Sequence, residues 1–334
     1  MSCLKALAQF GGIAAAALLV SAPLAHAKTE FKVATGLVKS HDQIVVYFDH
    51  FHDPINADRN APFGLKYLGG PEITPEKQLG PAVKRGLIDI LCSPSSYYAG
   101  LVPEARYAAI SNQGHHDLRS NGAYDLLQEA WAKGINARIL AWPYWQGTEF
   151  HIYLTNKPKL SKETGITLAG QKMRTVSLYT PFLKAMGATP VEIAPGEVYT
   201  GLQRGVVSGL AWPEGAITRY GWQQYVKYRI EPGFWRSSTM VVMNLDKYKA
   251  LTKVQRDYIE KAALKLEDES GPAQRKVIEI DNAKLFKEGV QRMKLSGDYA
   301  KAYLNTIFSS SWEDARNRKL TVPYATLRSK LYKE

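Results

Sequence analysis

The sequence predicts a two-lobed α/β protein, and three observations point there. Strand and helix patterns alternate over short loops from residue 31, then restart near residue 137. The chain exceeds the length at which a single hydrophobic core stops growing. Residues 252–288 read as one long helical region, with apolar Val254, Tyr258, Ala262 and Leu266 at helical spacing. Such a region is long enough to cross between lobes.

Residues 1–27 are expected to be a cleaved signal peptide. Lys5 precedes an apolar stretch from about Ile13 to Val20, and Ala25-His26-Ala27 is a small-x-small cleavage pattern. The apolar stretch is shorter than the ~20 residues a spanning helix needs. The mature chain is therefore expected to be soluble, exported to the periplasm and monomeric. Its formal charge falls from +12 to +11, because the leader carries one lysine and no acid. Cys3 leaves with it, so Cys92 has no internal disulfide partner.

The elements follow in order. Phe31-Lys32-Val33-Ala34 is a strand ended at Gly36, and residues 41–51 form a helix. Leu65-Lys66-Tyr67-Leu68 is a strand stopped by Gly69-Gly70-Pro71, and Pro75 opens a helix that ends before Gly86. Leu87-Ile88-Asp89-Ile90-Leu91 is a buried strand, with Ser93, Ser95 and Tyr97 just beyond its carboxyl end. Ligands of such mostly parallel sheets sit at that end of the strands. Further strands are expected at 137–141, 151–155 and 172–176, with helices at 180–186 and 197–204. A strand at 238–244 returns to the first lobe. Gly271-Pro272 should break or kink the long helix and serve as a hinge. The boundaries that result are 28–146 with 238–277 for the first lobe, and 147–237 with 278–334 for the second.

Composition narrows the partners. Lysines and arginines are interleaved with acids, as between residues 252 and 269, and no basic run exceeds two residues. That argues against nucleic acid and for steering of small anions. No Gly-x-Ser-x-Gly, His-Glu-x-x-His or phosphate-binding glycine loop occurs. No catalytic residue and no cofactor is nominated. His50-x-His52, flanked by Asp49 and Asp53, and His115-His116-Asp117 invite a metal reading. Residues two apart on a helix face different sides, so no metal site is expected there.

Met173-Arg174, Met186-Gly187-Ala188-Thr189-Pro190-Val191, and the run from Gly196-Glu197-Val198-Tyr199 to Val206-Val207-Ser208-Gly209 stand in order along the second half. Together they resemble the solute-binding proteins of tripartite ATP-independent periplasmic (TRAP) transporters. The segment 82–90, Gly147-Thr148, Asn156-Lys157-Pro158, and Asn244 with Leu251 and Gln255 extend the likeness over most of the mature chain. The resemblance implies a periplasmic binding protein fold with a hinge, closing on a small organic acid and delivering it to integral membrane permease subunits. It gives Arg174 the ligand carboxylate. A guanidinium inside an apolar strand supports that role, since it keeps its charge and its planar fork suits a carboxylate.

The chain also departs from the family pattern. Glu149 stands where many members carry a second arginine, Ser208 where they have aspartate, and Leu210-Ala211-Trp212-Pro213-Glu214 where a polar set is common. Trp212 is expected to stack on the ligand. Glu149, where it faces the cleft, would favour a ligand with a cation or hydroxyls. The candidate ligand-binding residues are Arg174, Trp212, Glu149, Ser95, Tyr97, Phe234 and Glu214. Tyr98, Trp142, Tyr144, Trp145, Tyr179 and Trp235 complete an aromatic set around the expected cleft and suggest a ring-containing monocarboxylate. Two other readings remain open: a secreted α/β enzyme, and a ligand-binding protein serving a sensory receptor.

Overall fold

The computed structural model describes residues 28–143 and 148–333. The leader, Tyr144, Trp145 and Gly147 lie outside the described residues.

The first half of the chain builds strands β1 (Thr29–Thr35), β2 (Phe63–Gly69), β3 (Ile90–Pro94) and β4 (Ala137–Ala141). Between them run α1 (Asp42–Tyr47), which continues through a π-helical turn into α2 (Asp53–Ala57), then α3 (Glu76–Lys84), α4 (His115–Ser120) and α5 (Ala123–Ile135). The third strand starts three residues later than the sequence suggests, because Leu87 is exposed.

The second half builds β5 (Glu149–Leu154), a small hairpin of β6 (Lys159–Ser161) and β7 (Gly165–Thr167), β8 (Lys172–Thr175), β9 (Thr189–Glu192), β10 (Gly209–Pro213), β11 (Tyr228–Glu231) and β12 (Phe234–Arg236). Helices α6 (Thr180–Ala185) and α7 (Val198–Gln203) connect them. The chain then returns through β13 (Thr239–Asn244), α8 (Leu245–Lys249) and the long α9 (Lys253–Lys287), and ends with β14 (Gln291–Lys294), α10 (Gly297–Arg316) and α11 (Tyr324–Leu331).

Two larger sheets result. The first has the order β2-β1-β3-β13-β4, and the second β14-β11-β5-β10-β8-β9, with β12 beside β5. In the first, β1 pairs parallel with β2 and β3, while β13 is antiparallel to both its neighbours. That orientation follows from its origin: it arrives from the other lobe instead of from a crossover helix. Apolar clusters lie on either side, one under α3, α5, α6 and α10, the other under α1, α7 and α9.

The break expected at Gly271-Pro272 is absent, and α9 runs through Pro272 without interruption. A proline inside a helix costs about 3 kcal/mol. Here Ile259, Ala263, Leu266, Ser270, Gln274, Ile278 and Leu285 form one buried stripe on both sides of it. Packing along that stripe outweighs the local penalty. The Thr252–Gln255 capping box fixes the start of the helix.

Within the C-terminal segment, β14 joins the second sheet and α10 packs on α6 and β7, while the chain end with α11 bonds to helical segments of the first half. Ser111 Oγ donates to the Leu331 carbonyl (2.8 Å), Gln113 Nε2 to the Lys330 carbonyl (2.7 Å), and the Val322 amide to Glu104 Oε1 (3.1 Å).

Candidate ligand-binding site

The carboxyl ends of the parallel strands in both sheets converge on one narrow cavity of about 30 Å³. Beyond β1 come Leu37, His41 and Gln43; beyond β3, Ser96 and Tyr97; beyond β8, Leu178 and Tyr179. Trp212 lies on β10, and Thr239 opens β13. Gly36 makes the turn out of β1 possible, since a Cβ there would come within 2.1 Å of Ser93 Oγ.

Among the described residues, Arg174 is the only charged group on the cavity wall apart from the ionisable His41 imidazole. It projects from β8 and is fully buried. Its Nε donates to the Ile193 carbonyl (3.0 Å), which fixes the direction of the fork. Both terminal nitrogens are buried without a hydrogen-bond partner among the described residues. The guanidinium sits 5.3 Å from the centroid of the Trp212 ring. Parallel pairing puts Leu210 opposite Arg174, so Trp212, two residues on, shares its face of the sheet. Trp212 Nε1 and His41 Nε2 are likewise buried without partners. Buried donors left open are costly, which makes this wall ready for an acceptor.

Tyr97 and Tyr179 complete the wall as neutral hydroxyl donors. Burial pushes the Tyr97 hydroxyl well above its ordinary value, against the pull of Arg174. Burial likewise pushes Tyr179 up to about 12, again opposed by Arg174. On the other lobe, Thr239 Oγ1 donates to Gln43 Oε1 (2.5 Å). Sequence reasoning had no signal for Gln43 or Thr239, because each is an ordinary polar residue at an element start.

Glu76 is the second charge, and it too escaped notice as a common first-turn acid. It is half-buried in the first turn of α3 and borders the clefts that flank the cavity. Burial pushes its carboxyl above the ordinary glutamate value, and the Arg174 guanidinium opposes that shift. Its Oε2 is buried without a partner. Beside it, Lys77 and Glu192 form an ion pair of 3.0 Å that joins the lobes at the surface.

The other candidates sit elsewhere. Glu149 is paired with Arg236 (2.8 Å). Glu214 is held by Arg275 (2.9 Å) and Asn282 Nδ2 (3.3 Å), both on α9. Ser95 Oγ is spent on the Ala105 carbonyl (2.7 Å). Phe234 packs against Phe182 and Trp235, with ring centroids 5.4 Å away in each case. Trp142 Nε1 donates to the Ser237 carbonyl (2.9 Å), and Tyr98 accepts from Trp131 Nε1 (3.1 Å). Of the seven candidates, Arg174, Trp212 and Tyr97 meet at the cavity.

Residues 37–316 match the bacterial extracellular solute-binding proteins, family 7. A curated relative, the ectoine/5-hydroxyectoine-binding periplasmic protein of Ruegeria pomeroyi, is 22% identical over 83% of this chain and 82% of its own length. The fold superposes on an extracytoplasmic solute receptor of Bordetella pertussis binding pyroglutamic acid, with a TM-score of 0.75 and 17% identity over 91% of this chain and 99% of that one. A TRAP periplasmic solute-binding protein from Desulfovibrio desulfuricans with bound sn-glycerol-3-phosphate gives 0.75 and 19% identity over 92% and 98%. The chain belongs to the family 7 bacterial extracellular solute-binding proteins.

Proposed function

We propose that this receptor captures a small monocarboxylate between its lobes and works as a non-catalytic periplasmic monomer. One observation carries the reading: a fully buried arginine in an interlobe cavity has both terminal nitrogens unpartnered among the described residues. A carboxylate is the ligand group that fits such a fork in two parallel hydrogen bonds. Trp212 and Tyr179 supply flat apolar walls for the body of the ligand, and Tyr97 and Gln43 supply polar contacts around it. Arg174, Trp212 and Tyr97 are the proposed ligand contacts, whereas Glu149, Glu214, Ser95 and Phe234 hold the walls in place.

Glu76 sharpens the ligand class. A carboxyl kept near Arg174 without touching it disfavours a second negative charge on the ligand. Monoanions, and acids that carry a hydrogen-bond donor facing Glu76, fit best. The ligand is held by both lobes, so it favours the shut form by its greater affinity for it. That gives permease subunits in the membrane a loaded shape to distinguish.

The test is a thermal-shift screen of the mature chain against organic acids. A ligand at about 100 times its dissociation constant should stabilise by about 2.7 kcal/mol. Arg174→Ala should erase that shift while the far-ultraviolet circular dichroism stays unchanged. A variant that binds the same acid with unchanged affinity overturns the reading.

A further inference from the structure

We propose that His115, His116 and Asp268 form a binding site for one divalent transition-metal ion, with Zn²⁺ the best fit. None of the three lines the interlobe cavity. The sequence neighbour Asp117 is not the third member. The fold brings in Asp268 instead, from the middle of α9 and 153 residues beyond His115.

The geometry matches a metal polyhedron. The ligand atoms of the three side chains all lie within 4.8 Å of one another. His115 Nε2 is 3.2 Å and His116 Nε2 3.3 Å from the same oxygen, Asp268 Oδ1. A tetrahedral ion with bonds of about 2.0 Å separates its ligands by about 3.3 Å. Two of the three edges therefore have the required length before any ion is added. The two imidazole rings are close neighbours, with centroids 4.1 Å apart and planes tilted by 45°.

The frame behind the site is rigid. Glu267, next to Asp268, is buried and accepts from Arg119 Nε (2.7 Å), the Trp142 amide (2.6 Å) and the Tyr124 hydroxyl. Those bonds lock the turn of α9 that carries Asp268 to α4 and α5. His115 is buried, while His116 and Asp268 are exposed. A fourth position faces solvent and takes water. Two imidazoles and one carboxylate select Zn²⁺, Cu²⁺ or Ni²⁺ over the oxygen-seeking Ca²⁺ and Mg²⁺. A bound ion ties α4 to α9 and stabilises the first lobe by mass action.

The experiment is a calorimetric titration of the chelator-stripped mature chain with Zn²⁺, repeated on His116→Ala and Asp268→Asn. The wild-type chain should bind one equivalent and melt at a higher temperature with Zn²⁺ than without. Loss of an outer-shell partner alone costs 10- to 100-fold, so loss of a direct ligand should weaken binding at least about tenfold. Both substitutions are at exposed positions, and an unchanged melting temperature without metal verifies the fold. Absence of saturable binding, wild-type affinity in both variants, or displacement of Zn²⁺ by equimolar Ca²⁺ overturns the site. The organic-acid screen serves as an independent readout, since His116→Ala should leave it unaltered.

Discussion

Arg174 and Arg229 stand on strands of the same sheet, both buried and both against an aromatic ring, yet their surroundings are opposite. Arg229 donates to Glu231 Oε1 (2.6 Å) and Asn282 Oδ1 (2.8 Å), with Glu214 Oε2 at 3.9 Å. Arg174 has one backbone carbonyl and two open nitrogens. The first is a structural joint between the sheet and α9. The second has no such joint among the described residues, in keeping with the ligand role proposed for it. A buried guanidinium is thus read by its partners, and sequence alone does not distinguish the two.

The contrast breaks or holds on substitution. Arg229→Ala removes the bonds to half-buried Glu231 and to Asn282, leaving Arg292 and Arg275 beside the acids, and should destabilise the chain by about 1.5–3 kcal/mol, read by urea unfolding. Loss below half a kilocalorie would erase the distinction. Arg174→Met removes an unpaired charge at similar volume, so the ligand-free chain should be as stable as before or more so. Trp212→Phe keeps an aromatic face but removes an open donor and part of the cation–π attraction of about 0.5–2 kcal/mol. Ligand affinity should fall about three- to tenfold, measured by calorimetry.

The smallest effect is expected at Glu76, where the sign is informative. Its folded-state value lies above the ordinary 4.5, so the folded chain holds that proton more tightly than the unfolded chain. Ionisation therefore opposes folding at neutral pH, and this opposition is relieved as pH falls toward 4.5. Glu76→Gln should flatten the stability–pH curve in that window and tighten monoanion binding severalfold at pH 7. An unchanged curve would show that burial does not govern this carboxyl.

The lobes were legible because their signals are local: strand–helix alternation, glycine stops and the apolar spacing of α9. Arg174 stood out because the family resemblance marks it, and a permanent charge inside an apolar strand supports that mark. The rest depends on contacts made far along the chain. Glu76 looks like any acid in a first helical turn until the fold sets α3 near β8. Glu149 and Glu214 look like cleft residues until Arg236 and Arg275 are seen to hold them. His115 and His116 were conspicuous, but the only acid beside them in sequence was the wrong one. Gly271-Pro272 has the grammar of a helix break, and only the buried stripe on either side shows why the helix continues.

That continuity has a mechanical consequence. Thirty-five residues of α-helix make a beam about 52 Å long. Near its start Glu260 pairs with Arg138 of β4, and farther along Asp281 accepts from Thr218 Oγ1 (2.5 Å) in the other lobe. A beam fastened at both ends cannot fold at its midpoint without pulling Ser270 and Gln274 out of their packing. A parting of the jaws would instead be taken up where β12 passes into β13, beside the bond from Trp142 Nε1 to the Ser237 carbonyl.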